Sequence, residues 1–308
     1  MERQLTEKHT NYLVFAVVLI YLIFQFLFKL LFGDAWIDNN LYMLLAFFQL
    51  IVILLPALVF IYLNGTSPAA VLKLKPITIL EVLLVIMMAV ASSLIASVLN
   101  TSVIYLLEKI GTMTAVNVPA PANVQELWMQ IFVIVLLPAV CEELFFRGVV
   151  FGMFEPLGIR AAIIISAFYF ALFHFDIRNL LGPFFLGLLF AWFCHRTGSI
   201  FAGVLAHFTN NLLAVLINWN NRHISASDAA LTPAVMGELI ILASAVGFIL
   251  AIMLKAFEAL TKDKVKPASG NKKSAVIPII AHWPMLAVYS VYLIITVLFI
   301  ISLTRPLL

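Results

Sequence analysis

The side chains able to do chemistry are concentrated in three short apolar stretches. In Pro138-Ala-Val-Cys-Glu-Glu-Leu-Phe-Phe-Arg-Gly148 two neighbouring carboxylates precede an arginine. Phe170-Ala-Leu-Phe-His174 ends in a histidine, and His207-Phe-Thr-Asn-Asn211 opens on a second histidine and closes on an asparagine. An ionisable group deep in hydrocarbon costs several kcal/mol, so it is kept only where it pairs or serves a function. On a helix Glu143 and Arg147 are i and i+4 with the acid first, the favourable order, and they neutralise each other. Glu142, about 100° further round, has no such partner and is expected to face a polar cavity, where a carboxylate can act as a general acid or base. His207 and Asn211 also share a face at i and i+4. A converging set of Glu, His, His and Asn supplies a base, an orienting group and oxyanion donors.

Each group alone admits a plainer role. Glu142, Glu143 and Arg147 could form an ion-pair knot between helices, although a knot has no use for the second carboxylate. A lone membrane histidine is more often an interhelical hydrogen-bond partner than a catalyst. Cys141 invites a cysteine-nucleophile reading, but it adjoins the spaced pattern without belonging to it. Phe145, Phe146 and Phe170 read as packing residues, and Gly148, Gly152, Gly182 and Gly187 as sites of close helix approach. His195, His223 and His282 lie near the ends of apolar stretches and read as interfacial.

The elements that carry these residues are membrane spans. Of 308 residues 64% are hydrophobic and 11% charged, against about 45–50% and 25% in a soluble domain. With a mean hydropathy of +1.12 along the chain, lipid is the solvent. Nine stretches approach the roughly 20 apolar residues a crossing needs: 12–32, 42–63, 78–107, 124–154, 160–175, 179–195, 200–219, 233–257 and 276–303. The fifth and sixth are short, are separated only by Asp176, Ile177 and Arg178, and form a hairpin that need not cross fully. The expected fold is therefore all-α, a polytopic bundle of about eight or nine spans around an intramembrane cavity. It divides into N-terminal helices (1–123), a central core (124–219) and C-terminal helices (220–308) with a basic linker at 259–275.

The first stretch follows Met1-Glu2-Arg3 with no small-residue cleavage site and is read as a retained span. Cytoplasmic loops keep Lys and Arg. Placing the basic stretch 255–273 inside also puts Arg3, Lys8, Lys73, Lys75, Arg160 and Arg196 inside and leaves Lys29, Lys109, Arg178, Arg222 and Arg305 outside. The expectation is an integral protein of the cell membrane with a cytoplasmic N-terminus. Asn117-Val-Pro-Ala-Pro-Ala reads as an extended outer connector. The basic residues do not interleave with aromatics on one surface, which argues against nucleic acid as a partner. Cys141 and Cys194 provide neither a disulfide framework nor a metal-binding C-x-x-C pair.

The patterns E-E-x-x-x-R, F-x-x-x-H and H-x-x-x-N, in that order on successive helices, resemble those of the intramembrane proteases that include the type II CAAX prenyl endopeptidases and the bacteriocin-processing and self-immunity proteins. The resemblance covers about 124–219. It implies a conical cavity open to membrane and cytosol, in which Glu142 and His174 activate a water, His207 and Asn211 stabilise the oxyanion, and Glu143 and Arg147 hold the site in shape. Two His and one Glu could also bind zinc. The cofactor expectation therefore stands between none and a divalent metal held by Glu142, His174 and His207; there is no H-E-x-x-H. Phe175 and Asp176 follow His174 where the prenyl endopeptidases carry further histidines, so peptide precursors or membrane proteins are expected as substrates ahead of prenylated chains. Alternatives are a non-catalytic scaffold or bacteriocin-immunity protein of the same fold, and a proton or transport pathway, against which Glu81 and Glu238 lie near opposite faces. A rhomboid-type serine site would need G-x-S-G, which Thr197-Gly-Ser199-Ile does not supply.

Overall fold

The computed structural model describes residues 7–63, 71–111, 119–222, 231–265 and 276–304. Within them run helices α1 (Glu7–Asn39), α2 (Leu41–Leu63), α3 (Ile79–Leu107), α4 (Val124–Leu157), α5 (Ile159–Leu172), α6 (Leu181–Thr197), α7 (Ile200–Asn221), α8 (Pro233–Leu260) and α9 (Trp283–Leu303), with no strand among the described residues. All but α5 are long and apolar enough to cross a bilayer, α6 together with the short turn before it (Ile177–Thr197), and the chain is an integral membrane protein. The fifth expected span is the shortest helix of the set. Its 14 residues reach about 21 Å at 1.5 Å each, less than the roughly 30 Å of hydrocarbon.

Helix ends fall where the sequence supplies caps. The Thr78 hydroxyl accepts from Glu81 N at 3.3 Å while the Glu81 carboxylate accepts from Thr78 N at 2.7 Å, a reciprocal box that starts α3. Gly198, at φ +65°, ends α6 in the left-handed conformation that a Cβ disfavours, and Ser199 accepts from Phe201 N at 3.2 Å to begin α7. Thr197-Gly-Ser199 is thus a helix-to-helix turn. Gly33, at φ +75°, interrupts α1 where the first apolar stretch was expected to stop. Two helices widen into π-type turns, α2 over Phe48–Leu54 and α4 over Ile131–Leu136 and again over Leu144–Val150. Pro56 and Pro138 stand just beyond the first two and cannot donate to the carbonyl four residues back.

The chain alternates between two ends of the bundle. At one end Lys73 pairs with Glu155 at 2.6 Å and Lys264 with Glu81 at 2.7 Å. There too Arg196 donates to Thr261 Oγ1 at 2.9 Å and to the Glu258 carbonyl, and Ser199 Oγ donates to the Lys75 carbonyl. These contacts tie the connections after α2, α4, α6 and α8 together, and this is called the basic end. At the opposite end Tyr42 bonds Glu126 at 3.1 Å, and Asn100 Nδ2 donates to Asn179 at 2.8 Å. His223, much of the basic linker and the start of the Asn117 connector lie outside the described residues.

Two apolar clusters flank the middle of the bundle. One joins α1, α2, α4, α5 and α9 through residues such as Val17, Ala57, Phe146, Phe154 and Met285. The other joins α3, α6, α7 and α8 through Met88, Phe193, Ala202 and Phe257.

Candidate active site

Glu142 and Glu143 sit at mid-length of α4, between its two wide segments, and point different ways as their 100° offset requires. Glu143 is fully buried. Its Oε1 accepts from Arg147 Nη1 at 2.7 Å and lies 2.9 Å from His207 Nδ1. Arg147 also donates to the Gly187 carbonyl at 3.2 Å and stacks over the Phe170 ring at 4.4 Å. This is the expected i, i+4 pair with an added third member, His207, which in turn stacks on Phe190 with ring centroids 5.5 Å apart.

Room for the buried carboxylate comes from a missing side chain. A Cβ at Gly203 would lie 2.8 Å from Glu143 Oε2 and 2.6 Å from Cys194 Sγ. The close-approach reading of glycines holds at 148, 182 and 187, where a Cβ would meet Leu72, Asn100 and Ala167 at 3.0 Å or less. It fails at Gly152, which has nothing within 4 Å, while Gly203 was not anticipated.

Among the described residues no cation pairs with Glu142. Gln49 Nε2, from the wide turn of α2, donates to its Oε1 at 2.7 Å, and no sequence motif pointed to that residue. Glu142, Gln49 and His174 line a cavity of about 470 Å³ together with Tyr21 and Gln25. His174, just past the end of α5, also lines a second cavity of about 720 Å³ with His207 and Asn211. It therefore stands at the boundary of the two. Its Nδ1 is 3.0 Å from the Phe170 carbonyl, which can only accept, so Nδ1 carries the proton and Nε2 the lone pair. By the same reasoning the Glu143 carboxylate fixes a proton on Nδ1 of His207.

Asn211 is only partly free. Its Nδ2 donates at 3.1 Å to the Ile134 carbonyl, four residues before Pro138, and its Oδ1 accepts from Asn210, whose own Oδ1 accepts from Ser93. Asn211 thus satisfies the carbonyl that Pro138 cannot, with one amide N–H to spare. Cys141 is buried in the apolar cluster and lines neither cavity. Among the described residues no three His, Cys, Asp or Glu side chains come together as a set able to hold a metal ion. Glu142, His174 and His207 do not fit a metal centre in this arrangement.

Residues 124–213 match the family model described as type II CAAX prenyl endopeptidase Rce1-like. The six site residues Glu142, Glu143, Arg147, His174, His207 and Asn211 lie within that match, and Gln49 does not. Over 95 residues the chain is 30% identical to a protein of Bacillus subtilis (strain 168) that bears the name "Putative membrane peptidase YdiL". The aligned stretch is 30% of this chain and 39% of that protein, so the similarity spans well under half of either. No solved structure matches the chain. The resemblance carried by the three motifs is thus matched by the family model over the segment that contains them.

Proposed function

We propose that the chain is an intramembrane endopeptidase in which Glu142, aided by His174, activates water against a peptide bond of a precursor peptide or membrane protein. The observation that carries this reading is the division of labour between adjacent carboxylates: Glu143 is paired in a buried knot, whereas Glu142 has no cationic partner among the described residues, is held by one amide donor and is open to a cavity. A purely structural ion pair needs only the first. The family match over 124–213 supports the same reaction class.

A water between Glu142 and the lone pair of His174 Nε2 gives its proton to the carboxylate as its oxygen attacks the scissile carbonyl. Glu142 then returns that proton to the departing amine. The developing oxyanion is received by the spare N–H of Asn211 and by His207, whose ring Glu143 holds at Nδ1. Such donors are worth about 10²–10³ in rate. Arg147 and Glu143 hold His207 in place. The protein sits in the cell membrane with the basic end, and the N-terminus with it, at the cytoplasmic face.

The test compares membranes carrying wild-type or Glu142→Ala protein by mass spectrometry of protein N-termini. Products made only by the wild type support a peptidase and identify its substrates. Identical profiles from two folded proteins would refute it and favour the scaffold or immunity reading.

A further inference from the structure

We infer that substrate reaches Glu142 and His174 from the non-cytoplasmic end of the bundle. The substrate class is then an outward-facing segment, in or beside the membrane, of a membrane or exported protein. This rests on the peptidase reading and departs from the cytosol-facing cavity that the family resemblance implies.

Three observations carry it. Both cavities extend from mid-membrane toward the end opposite the tied basic connections. The larger runs from Phe190 and His207 to Asn100, Asn179 and Asn218, and the smaller from Glu142 to Lys29, Ile37 and Leu41. The other direction is filled. Phe145, Phe146, Val150, Phe151 and Phe154, all between Glu143 and the basic end of α4, are 0% exposed, and the Glu143–Arg147–His207 knot closes the space beside them. The cavity of about 1140 Å³ at Arg160 is lined by none of the six site residues.

The third observation is charge. Lys73, Lys75, Arg160, Arg196, Lys262 and Lys264 gather at the sealed end, whereas at the open end Lys29 is paired with Asp34, Arg178 with Asp176, and Lys109 and Arg222 lie over the Tyr105 and Trp219 rings. Retention of Lys and Arg on the cytoplasmic side then places the cavity mouths outside. Among the described residues, the route along α4 from the basic end to Glu142 is filled by packed aromatic side chains.

The experiment is cysteine accessibility in intact bacterial cells expressing the full chain, read with a membrane-impermeant maleimide. Gln25→Cys and Asn218→Cys probe the two cavities, and Lys262→Cys the basic end; all three positions are exposed. The native Cys141 and Cys194 are 1% and 3% exposed, so the wild type is the unlabelled control. Ser97→Cys, exposed in the larger cavity, serves if either cavity variant fails to fold. The inference expects labelling of the cavity cysteines in intact cells and of Lys262→Cys only after permeabilisation. The reverse pattern overturns it. Labelling reads access without catalysis: outward labelling in a wild type that cleaves nothing would retire the peptidase reading alone, and inward labelling with cleavage would retire the access inference alone. Cleavage sites are expected in outward-facing segments, and sites confined to cytosolic ones would contradict it.

Discussion

Replacing Arg147 with methionine keeps most of the side chain's length and removes its charge from a pair whose two members are both 0% exposed. The Glu143 carboxylate would then be buried with only His207 as its partner. Breaking a buried ion pair from one side costs about 3–5 kcal/mol. Loss of the guanidinium from the Phe170 face, where it sits at 4.4 Å, adds about 1–2 kcal/mol. Against a total stability of about 5–15 kcal/mol the variant should be severely weakened. Adding Glu143→Gln removes the stranded charge, so the double variant should be more stable than Arg147→Met alone, with a coupling of about 2–3 kcal/mol in a double-mutant cycle. Equilibrium unfolding in mixed micelles measures all four proteins. An Arg147→Met protein within about 1 kcal/mol of wild type, or additivity within about 0.5 kcal/mol, would refute the reasoning.

Gln49→Leu should leave the fold intact and slow turnover about tenfold, the worth of roughly 1.4 kcal/mol in a barrier; an unchanged rate would remove Gln49 from the site. Gly203→Ala sets a Cβ against Glu143 Oε2 and Cys194 Sγ and should cost about 1–3 kcal/mol in an unfolding assay, part of it recovered by Cys194→Ala. Asn211→Leu strands the Ile134 carbonyl at a cost of about 1–3 kcal/mol. That cost should shrink in a Pro138→Ala background, whose restored N–H can reach the carbonyl; an equal loss in both backgrounds would show that the bond is not what Asn211 contributes to stability.

Helix number and type were legible because the lipid requirement imposes long apolar runs on any crossing segment, and the i, i+4 spacing made the Glu143–Arg147 pair readable before any coordinates. The extent of α5 was not, since the apolar run continues through Phe173 while the helix turns back, with Phe175 at φ +48°. Of the candidate site, the motifs contain Glu143, Arg147 and His207, which meet, but not the partners of Glu142 and Asn211. Gln49 lies 93 residues from Glu142 in sequence and is brought to it by a wide turn next to Pro56, a pairing that periodicity cannot reveal. The bond from Asn211 to Ile134 follows from Pro138 only once α4 and α7 are known to touch. Gly203 matters for the atoms it lacks, against a carboxylate on another helix.

The central claim, that Glu142 activates water for peptide hydrolysis, is tested most directly by single-turnover cleavage in ¹⁸O-labelled water with purified, reconstituted wild-type and Glu142→Gln proteins on one substrate identified from membranes. Glu142→Gln keeps the shape and removes the base. The account predicts ¹⁸O in the new C-terminal carboxylate of the wild-type product and a rate for Glu142→Gln lower by about 10²–10⁴, the usual contribution of a positioned general base. A folded Glu142→Gln protein that cleaves within tenfold of the wild-type rate would contradict it.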